Sequence, residues 1–372
     1  MRRLGGKLLK KRSDGRYCKQ IIIGYTDDGR RKLKNIYGKT KREIEKQEAE
    51  IRTQLNSDSF VVNERLTVGE WATEWFEVYK ANAEYNTAEM YRNAIENHIK
   101  PLIGDIALLK LKTVEIQKML NRITDDGKIR TANICRMTIK QIMRCAYQEK
   151  LINRDVSVGI PTIKSEKNEK RVLTEDEIIA LSRTKLTPKE QIFIDIMRYM
   201  GLRRGEILAL TKDDIDFEVK RVRINRAIYF EKNKAKVKNP KSKAGFREIP
   251  IPDVLFEKLN KYTADLDTDK LFTMKTGDYM SKQSFRVFWN KIVMKVTETG
   301  NRLGVEIGFT PHIFRHTYAT NLYYAGVDVK TASYLMGHSD IGVTLKIYTH
   351  LESKHTDAAI DKINRYNEKL VG

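Results

Sequence analysis

The chain has 372 residues, 41% hydrophobic and 32% charged, which is enough for two or three folded domains and excludes a mostly disordered protein. No apolar run approaches the ~20 residues that a membrane span needs, and the opening MRRLGGKLLKKRSDG lacks the apolar stretch of a signal peptide, so the protein is expected to stay where it is made. A balance of 70 Lys+Arg against 49 Asp+Glu leaves +21, which makes a polyanion, nucleic acid first, the expected partner. Residues 1–40 alone hold 13 Lys or Arg against three acids, a net of +10, and that clustering is an electrostatic footprint. Cys18, Cys135 and Cys145 form no CxxC pair and are too scattered for a disulfide framework, which points to a reducing cytoplasm.

Taken in chain order, two Asp-Gly turn signals, Asp14-Gly15 and Asp28-Gly29, separate three strands, Lys7–Arg12, Arg16–Tyr25 and Arg30–Tyr37. Thr40 with Glu43 opens a helix over 41–55 that packs across this sheet, and a small basic sheet of this kind can enter a major groove. Asn56–Glu64 reads as a linker. Thr67 with Glu70 starts the next helix, whose Val68, Trp71, Trp75 and Tyr79 mark a core face. Asn86 with Glu89 repeats the signal for a helix ending near His98, before Pro101, and Arg130–Glu149 is a further helix. Residues 65–160 therefore form an all-helical domain.

Pro161–Arg171, short and Lys-rich, reads as a hinge. Thr174 with Glu177, then Thr187-Pro188 with Glu190, open the helices of a new domain, the second ending at Gly201, so that Arg203 lies just past a helix end. Val219–Phe230 and Phe246–Pro252 read as strands around a loop, Lys232–Gly245, with six lysines. Helices follow, and Ala359, Ile360, Ile363, Tyr366 and Leu370 give the tail an amphipathic spacing.

Four of the six histidines fall between positions 312 and 350, a crowding that core filling does not explain. His312 and Arg315 are three apart, one helical face, and Gly337 lets the backbone beside His338 approach a neighbour closely. His312 and His316 stand four apart, yet HIFRH lacks the glutamate of a zinc protease motif and sets an arginine beside the ligands.

Gly201-Leu-Arg-Arg-Gly-Glu206, His312-x-x-Arg315, Leu-Met-Gly-His338 and Ile-Tyr348-Thr-His together resemble the signature of the tyrosine site-specific recombinases, the phage integrase family, over residues 170–355. The chain as a whole is most similar to the integrases of conjugative transposons. The resemblance implies a multidomain fold, mainly α with small β-sheets. Residues 1–56 would be an arm-type DNA-binding domain, a three-stranded sheet plus helix. Residues 65–160 would be an all-α core-site DNA-binding domain, and 172–372 a mixed α+β catalytic domain ending in an exchange helix. It implies Arg203 and Arg315 as the two arginines gripping the scissile phosphate and Tyr348 as the nucleophile. His312 assists proton transfer, His338 hydrogen-bonds the phosphate, and Glu206 orients the arginines. Lys243, with Lys241 as its rival, is the lysine of the β-hairpin loop and the general acid. The implied partners are double-stranded DNA at core-type and arm-type sites, three further copies in a tetramer with helix exchange in trans, an excisionase and a host DNA-bending protein. The expected location is the bacterial cytoplasm, on DNA. One departure stands out: the step from His338 to Tyr348 is one residue longer than in many relatives.

The chemistry is consistent with elementary physics. Attack on a phosphodiester adds charge to its nonbridging oxygens, which two guanidiniums absorb through fixed bidentate hydrogen bonds while staying charged at any working pH. A covalent 3′-phosphotyrosine conserves the energy of the broken strand, so rejoining needs neither ATP nor cofactor, and the absence of a P-loop and of a two-metal carboxylate set agrees. A type IB topoisomerase and a catalytically dead DNA-binding regulator are the competing readings.

Overall fold

The computed structural model describes residues 10–25, 31–56, 65–164, 171–240 and 243–352. Contacts divide the chain into two compact units, 1–167 and 168–372, with the boundary inside the lysine-rich segment expected to be a hinge.

In the first unit, β1 (Lys10–Lys11), β2 (Tyr17–Tyr25) and β3 (Arg31–Gly38) form an antiparallel sheet in that order, with a bulge between Ile22 and Gly24. Asp14-Gly15 makes the first turn, with Gly15 at positive φ, whereas the Asp28-Gly29 turn and residues 7–9 lie outside the described residues. Across the sheet packs α1 (Lys41–Asn56), its Ile44 and Ile51 buried on Ile21 and Ile36. Thr40 Oγ1 accepts from Glu43 N at 3.2 Å, while the Glu43 carboxylate reaches one residue further back than a capping box requires, to Lys39 N at 2.6 Å. The expected linker, beyond Asn56, lies outside the described residues.

The helical domain comprises α2 (Val68–Tyr79), α3 (Tyr85–Ala94), α4 (Lys100–Ile103), α5 (Thr113–Asp125) and α6 (Ile129–Gln148). Thr67 and Glu70 exchange the two bonds of a capping box, at 3.2 and 2.8 Å. Val68, Trp71 and Trp75 are core, but Tyr79 turns outward and its hydroxyl donates to Glu149 at 2.7 Å. Two expectations fail here. α3 begins at Tyr85 on the Glu84 carbonyl, which accepts from Thr87 and Ala88, so Asn86 is inside the helix and Glu89 pairs with Arg92 instead of closing a box. Nor does Pro101 end the helix: α3 runs without a break through a π turn, Ile95–Ile99, into α4, and the missing proline N–H falls where the ladder changes register. α5 was not anticipated, although Ile116, Met119, Leu120 and Ile123 bury at helical spacing. The core of this domain runs from Trp71 to Ile139, Ile142 and Met143.

The second unit opens on α7 (Glu175–Arg183) and α8 (Pro188–Met200), both with the expected capping boxes, Thr174/Glu177 and Thr187/Glu190. Gly201 terminates α8 in the left-handed region (φ +62°), and α9 (Arg204–Ala209) starts three residues later with Arg203 as its N-cap. The expected strand Val219–Phe230 is in fact two: β5 (Arg221–Ile224), which lies between β4 (Ile215–Asp216) and β8 (Arg247–Pro250) in one sheet, and β6 (Ala227–Glu231), which pairs with β7 (Lys234–Lys238) in a separate hairpin. The break falls at Asn225-Arg226, where the Arg226 guanidinium turns aside to Thr211, Asp214 and the Ala209 carbonyl. The lysine-rich loop thus carries a strand of its own. Then come α10 (Asp253–Ala264), α11 (Lys282–Leu303), α12 (Pro311–Tyr324), α13 (Val329–Met336) and α14 (Ile341–Glu352). Phe193, Phe272 and Phe314 are the largest fully buried side chains of the main core among the described residues; a smaller cluster joins α12, α13 and α14 through Ala319, Leu322, Ala332, Met336 and Tyr348. The tail after Glu352, with its amphipathic spacing, lies outside the described residues. Among the described residues no helix is long and apolar enough to cross a membrane.

Candidate active site

A helix ends with carbonyls that lack intrahelical partners and carry the negative end of its dipole. At the end of α13 three consecutive carbonyls each receive a guanidinium. Arg247 Nε donates to Leu335 O at 3.0 Å, Arg315 Nη2 donates to Met336 O, and Arg203 Nη2 donates to Gly337 O at 2.9 Å. The three arginines come from β8, α12 and the start of α9, so one helix terminus gathers three distant parts of the chain. Gly337 (φ +62°) turns the backbone there, and a Cβ on it would stand 2.6 Å from Arg247 Nη1. Gly201 supplies a fourth acceptor, its carbonyl taking Arg315 Nη1 at 2.8 Å.

One carboxylate sits among these cations. Glu206 accepts from Arg203 N and Nη1, both at 2.9 Å, and from Arg247 Nη1 and Nη2 at 3.2 and 2.9 Å. Burial works against its charge, yet the hydrogen bonds and charge of Arg247, and then Arg203, hold its pKa down at about 2. Three guanidiniums against one carboxylate leave the cluster with two uncompensated positive charges. Burial, followed by the like charge of Arg203, lowers the pKa of Arg315 to about 9, so it remains a cation at neutral pH. Arg315 is 6% exposed whereas the Arg203 side chain is 40% exposed, so the first is the fixed wall of the site and the second its open edge.

His312 lies in the first turn of α12, one turn before Arg315, its ring 6.4 Å from that of His316. His338 follows Gly337 directly; its Nδ1 is 2.8 Å from Thr344 Oγ1, tying the end of α13 to α14. Lys243 begins a short 3-10 turn between β7 and β8; its side chain, and Lys241 altogether, lie outside the described residues.

Tyr348 is not turned toward the arginines. It is 6% exposed, packs edge-on against Tyr323 with ring centroids 5.1 Å apart, and donates its hydroxyl to the Val327 carbonyl at 3.1 Å. Burial, with the charge of Asp328 next, pushes its pKa up to about 12. Arg203, Arg315, Glu206 and the backbone beside His338 are therefore brought together, while the phenol is held in the α12–α14 cluster. Arg247 had no role in the sequence reading. Its signal was available: in Arg247-Glu-Ile-Pro250 it shares the inward alternation of Ile249, and its side chain is wholly buried.

Comparison with known proteins agrees with this fold. Residues 68–160 match the phage integrase central domain and residues 171–355 the phage integrase family. A XerC-like tyrosine recombinase of Caldanaerobacter subterraneus subsp. tengcongensis is 30% identical, with 94% of this chain and 95% of the relative covered. The transposase from transposon Tn916 of Enterococcus faecalis is 24% identical over 87% of this chain and 84% of its own length. Among solved structures, the Tn1549 transposon integrase in complex with a circular intermediate DNA superposes with a TM-score of 0.70 at 22% identity, covering 80% of this chain and 99% of that one. A lambda integrase dimer bound to a COC′ core site gives 0.58 at 18% identity, covering 94% and 96%. The chain belongs to the phage integrase family of tyrosine recombinases, enzymes that cut and rejoin DNA strands at specific sites.

Proposed function

We propose that this chain is the integrase of a mobile element of the conjugative-transposon kind, integrating and excising it through a covalent 3′-phosphotyrosine. The observation that carries the reading is the pair of guanidiniums, Arg203 and Arg315, pinned on the successive carbonyls of Gly337 and Met336 with Glu206 and Arg247 behind them. A phosphodiester carries one negative charge and acquires a second as the nucleophile adds, which matches the two positive charges that the cluster leaves over. Arg203, at the open edge, and Arg315, in the wall, hold the nonbridging oxygens; Glu206 and Arg247 fix their orientation. His338, held by Thr344, bonds the phosphate, and His312 takes the phenolic proton. Tyr348 Oη attacks phosphorus, the bond to the 5′ oxygen breaks, and Lys243, with Lys241 its rival, gives that oxygen a proton. The reverse step, with a 5′ hydroxyl from another strand, releases Tyr348.

This sequence has a conformational requirement. Tyr348 must exchange the Val327 carbonyl for the phosphate, so DNA binding and assembly draw α14 away from its contact with Tyr323. Residues 1–56 bind arm-type sites and 65–160 core-type sites, and four copies work as a tetramer on DNA, residues 356–372 reaching a neighbour. An excisionase and a host DNA-bending protein would set direction, and the place of action is bacterial DNA in the cytoplasm. Binding to DNA and assembly are supported by the fold, which is shared over 80% of this chain with a Tn1549 integrase solved on DNA and over 89% with a lambda integrase solved as a tetramer on a Holliday junction.

The test is incubation with a nicked cognate site followed by a denaturing gel. A protein–DNA adduct that Tyr348→Phe abolishes and that forms in the presence of chelator is expected. Free ends released by that variant, or chelator-sensitive cleavage, would refute the reading.

A further inference from the structure

The buried carboxylate of Glu177 belongs to no step of the reaction above. It is 2% exposed and sits in the first turn of α7. Its two oxygens accept four N–H bonds. Oε2 takes Thr174 N at 3.1 Å, which closes the α7 capping box, and Arg171 Nη1 at 2.7 Å; Oε1 takes Arg171 Nη2 at 2.9 Å and Gly308 N at 3.3 Å. Arg171 Nη2 also donates to the Gly308 carbonyl, so this ion pair takes up both backbone polar groups of one loop residue, and a Cβ on Gly308 would stand 3.4 Å from that nitrogen. Gly308 lies four residues before His312. Between them Phe309 is buried, its ring centroid 5.2 Å from that of Phe314, and Pro311 has its φ locked in the first turn of α12. That turn has no cap of its own: the Thr310 side chain makes no capping bond, in contrast to Thr174 and Thr187. Further along the same helix, Thr317 Oγ1 accepts from Leu173 N at 2.9 Å. Segment 171–177 therefore holds the chain on both sides of His312 and Arg315.

We propose that Glu177, with Arg171, is a positioning residue for His312: by holding Gly308 it stands in for the missing cap of α12 and keeps the imidazole of its first turn in place to receive the phenolic proton of Tyr348. This rests on the reading that His312 takes that proton. Arg315 does not depend on the same hold, because its own bonds to the Gly201 and Met336 carbonyls fix it. A carboxylate and a guanidinium suit the task. The first accepts several N–H groups at once and the second donates from a rigid fork, so one pair can bond the N–H and the C=O of a single residue.

The experiment measures the rate of covalent-adduct formation on a nicked cognate site at saturating DNA, in a double-mutant cycle. Arg171→Ala is the deciding variant, since its side chain is 43% exposed and its loss leaves Glu177 closing the α7 box. It is expected to slow the adduct roughly tenfold, the effect of a misplaced proton acceptor, with DNA affinity unchanged. Glu177→Gln should match it, because an amide sets an N–H against N–H donors. His312→Ala is expected to slow the reaction by about 10²-fold or more, and adding Arg171→Ala to it should cost nothing further. Added to Arg203→Lys, which leaves His312 in place, Arg171→Ala should still cost its full factor. If His312→Ala leaves the rate unchanged, the proton-acceptor reading fails. If it slows the reaction and Arg171→Ala multiplies with it, the assignment of Glu177 and Arg171 fails alone, as it does if Arg171→Ala has no effect in the otherwise wild-type protein. A lower DNA affinity with a shallower salt dependence would mark Arg171 as a phosphate contact and overturn the proposal.

Discussion

Arg203 and Arg315 bond the same helix end from different degrees of burial, and that difference assigns their sensitivities. Arg203→Lys keeps a charge but not the fork that spans Glu206 Oε1 and Gly337 O. Cleavage is expected to slow by about 10²–10³, the usual cost of one preorganised donor, with DNA affinity nearly unchanged, since binding energy comes from many phosphates elsewhere. Adduct rates and a binding isotherm on the same DNA check this, and equal losses in both would count against the role. Glu206 offers a stability test. Its carboxyl, 4.5 as an ordinary glutamate and about 2 here, is depressed, so its contribution is complete above pH 4.5 and fades as pH falls toward 2. Glu206→Gln should therefore cost roughly 3 kcal/mol near neutrality, and the gap to wild type should narrow through the acid limb of a denaturation series. A gap that stays constant with pH would mean that the charge is not what stabilises the cluster.

At the scale of elements, the ends of helices carry the site, and they are also what the sequence shows best. The Thr67, Thr174 and Thr187 capping boxes are local, four-residue devices and read directly. Gly201 as the stop of α8 and Arg203 just beyond it were equally legible. Two local signals misled, the Asn86/Glu89 pair and the Pro101 stop; the other failures were features decided by distant partners. The strand expected over Val219–Phe230 breaks because Arg226 bonds Asp214, Thr211 and Ala209, and Lys234–Lys238 became a strand because β6 pairs with it, where charge alone suggested a loop. The position of Tyr348 was hidden for the same reason, since nothing in Ile347-Tyr348-Thr349 names the Val327 carbonyl as acceptor. Gly337 combines a local demand, positive φ, with a tertiary one, room for Arg247. Gly337→Ala should thus lose about 2 kcal/mol or more and abolish adduct formation, against a smaller penalty at Gly326, where φ is +75° but nothing lies within 4 Å of the added Cβ. Denaturant midpoints of the two variants decide it, and equal losses would remove the tertiary part of the explanation.

For the whole molecule the governing quantity is charge, +21 overall and +10 in the first forty residues, and the structure sharpens which of those charges count. Lys19 is tied to Glu48, and Arg12 and Arg16 share Asp14, so part of the basic face of the β1–β3 sheet is already compensated. Lys11, Arg31 and Lys39 are exposed and outside those pairs. Each phosphate that a protein cation neutralises releases counterions and contributes about 0.9 to the slope of log affinity against log salt. On the proposed division of sites between the domains, replacing Lys11, Arg31 and Lys39 by Gln should therefore flatten that slope by as much as about 2–3 for arm-type DNA and leave it unchanged for core-type DNA. Lys19→Gln should flatten it least, because its ammonium has a carboxylate partner to abandon before it can meet a phosphate. Titrations of both DNAs over a range of salt make the comparison. A uniform change on the two would show that the amino-terminal charge acts as a general attraction, and a full-sized effect from Lys19 would show that the Glu48 pair opens at no cost on DNA.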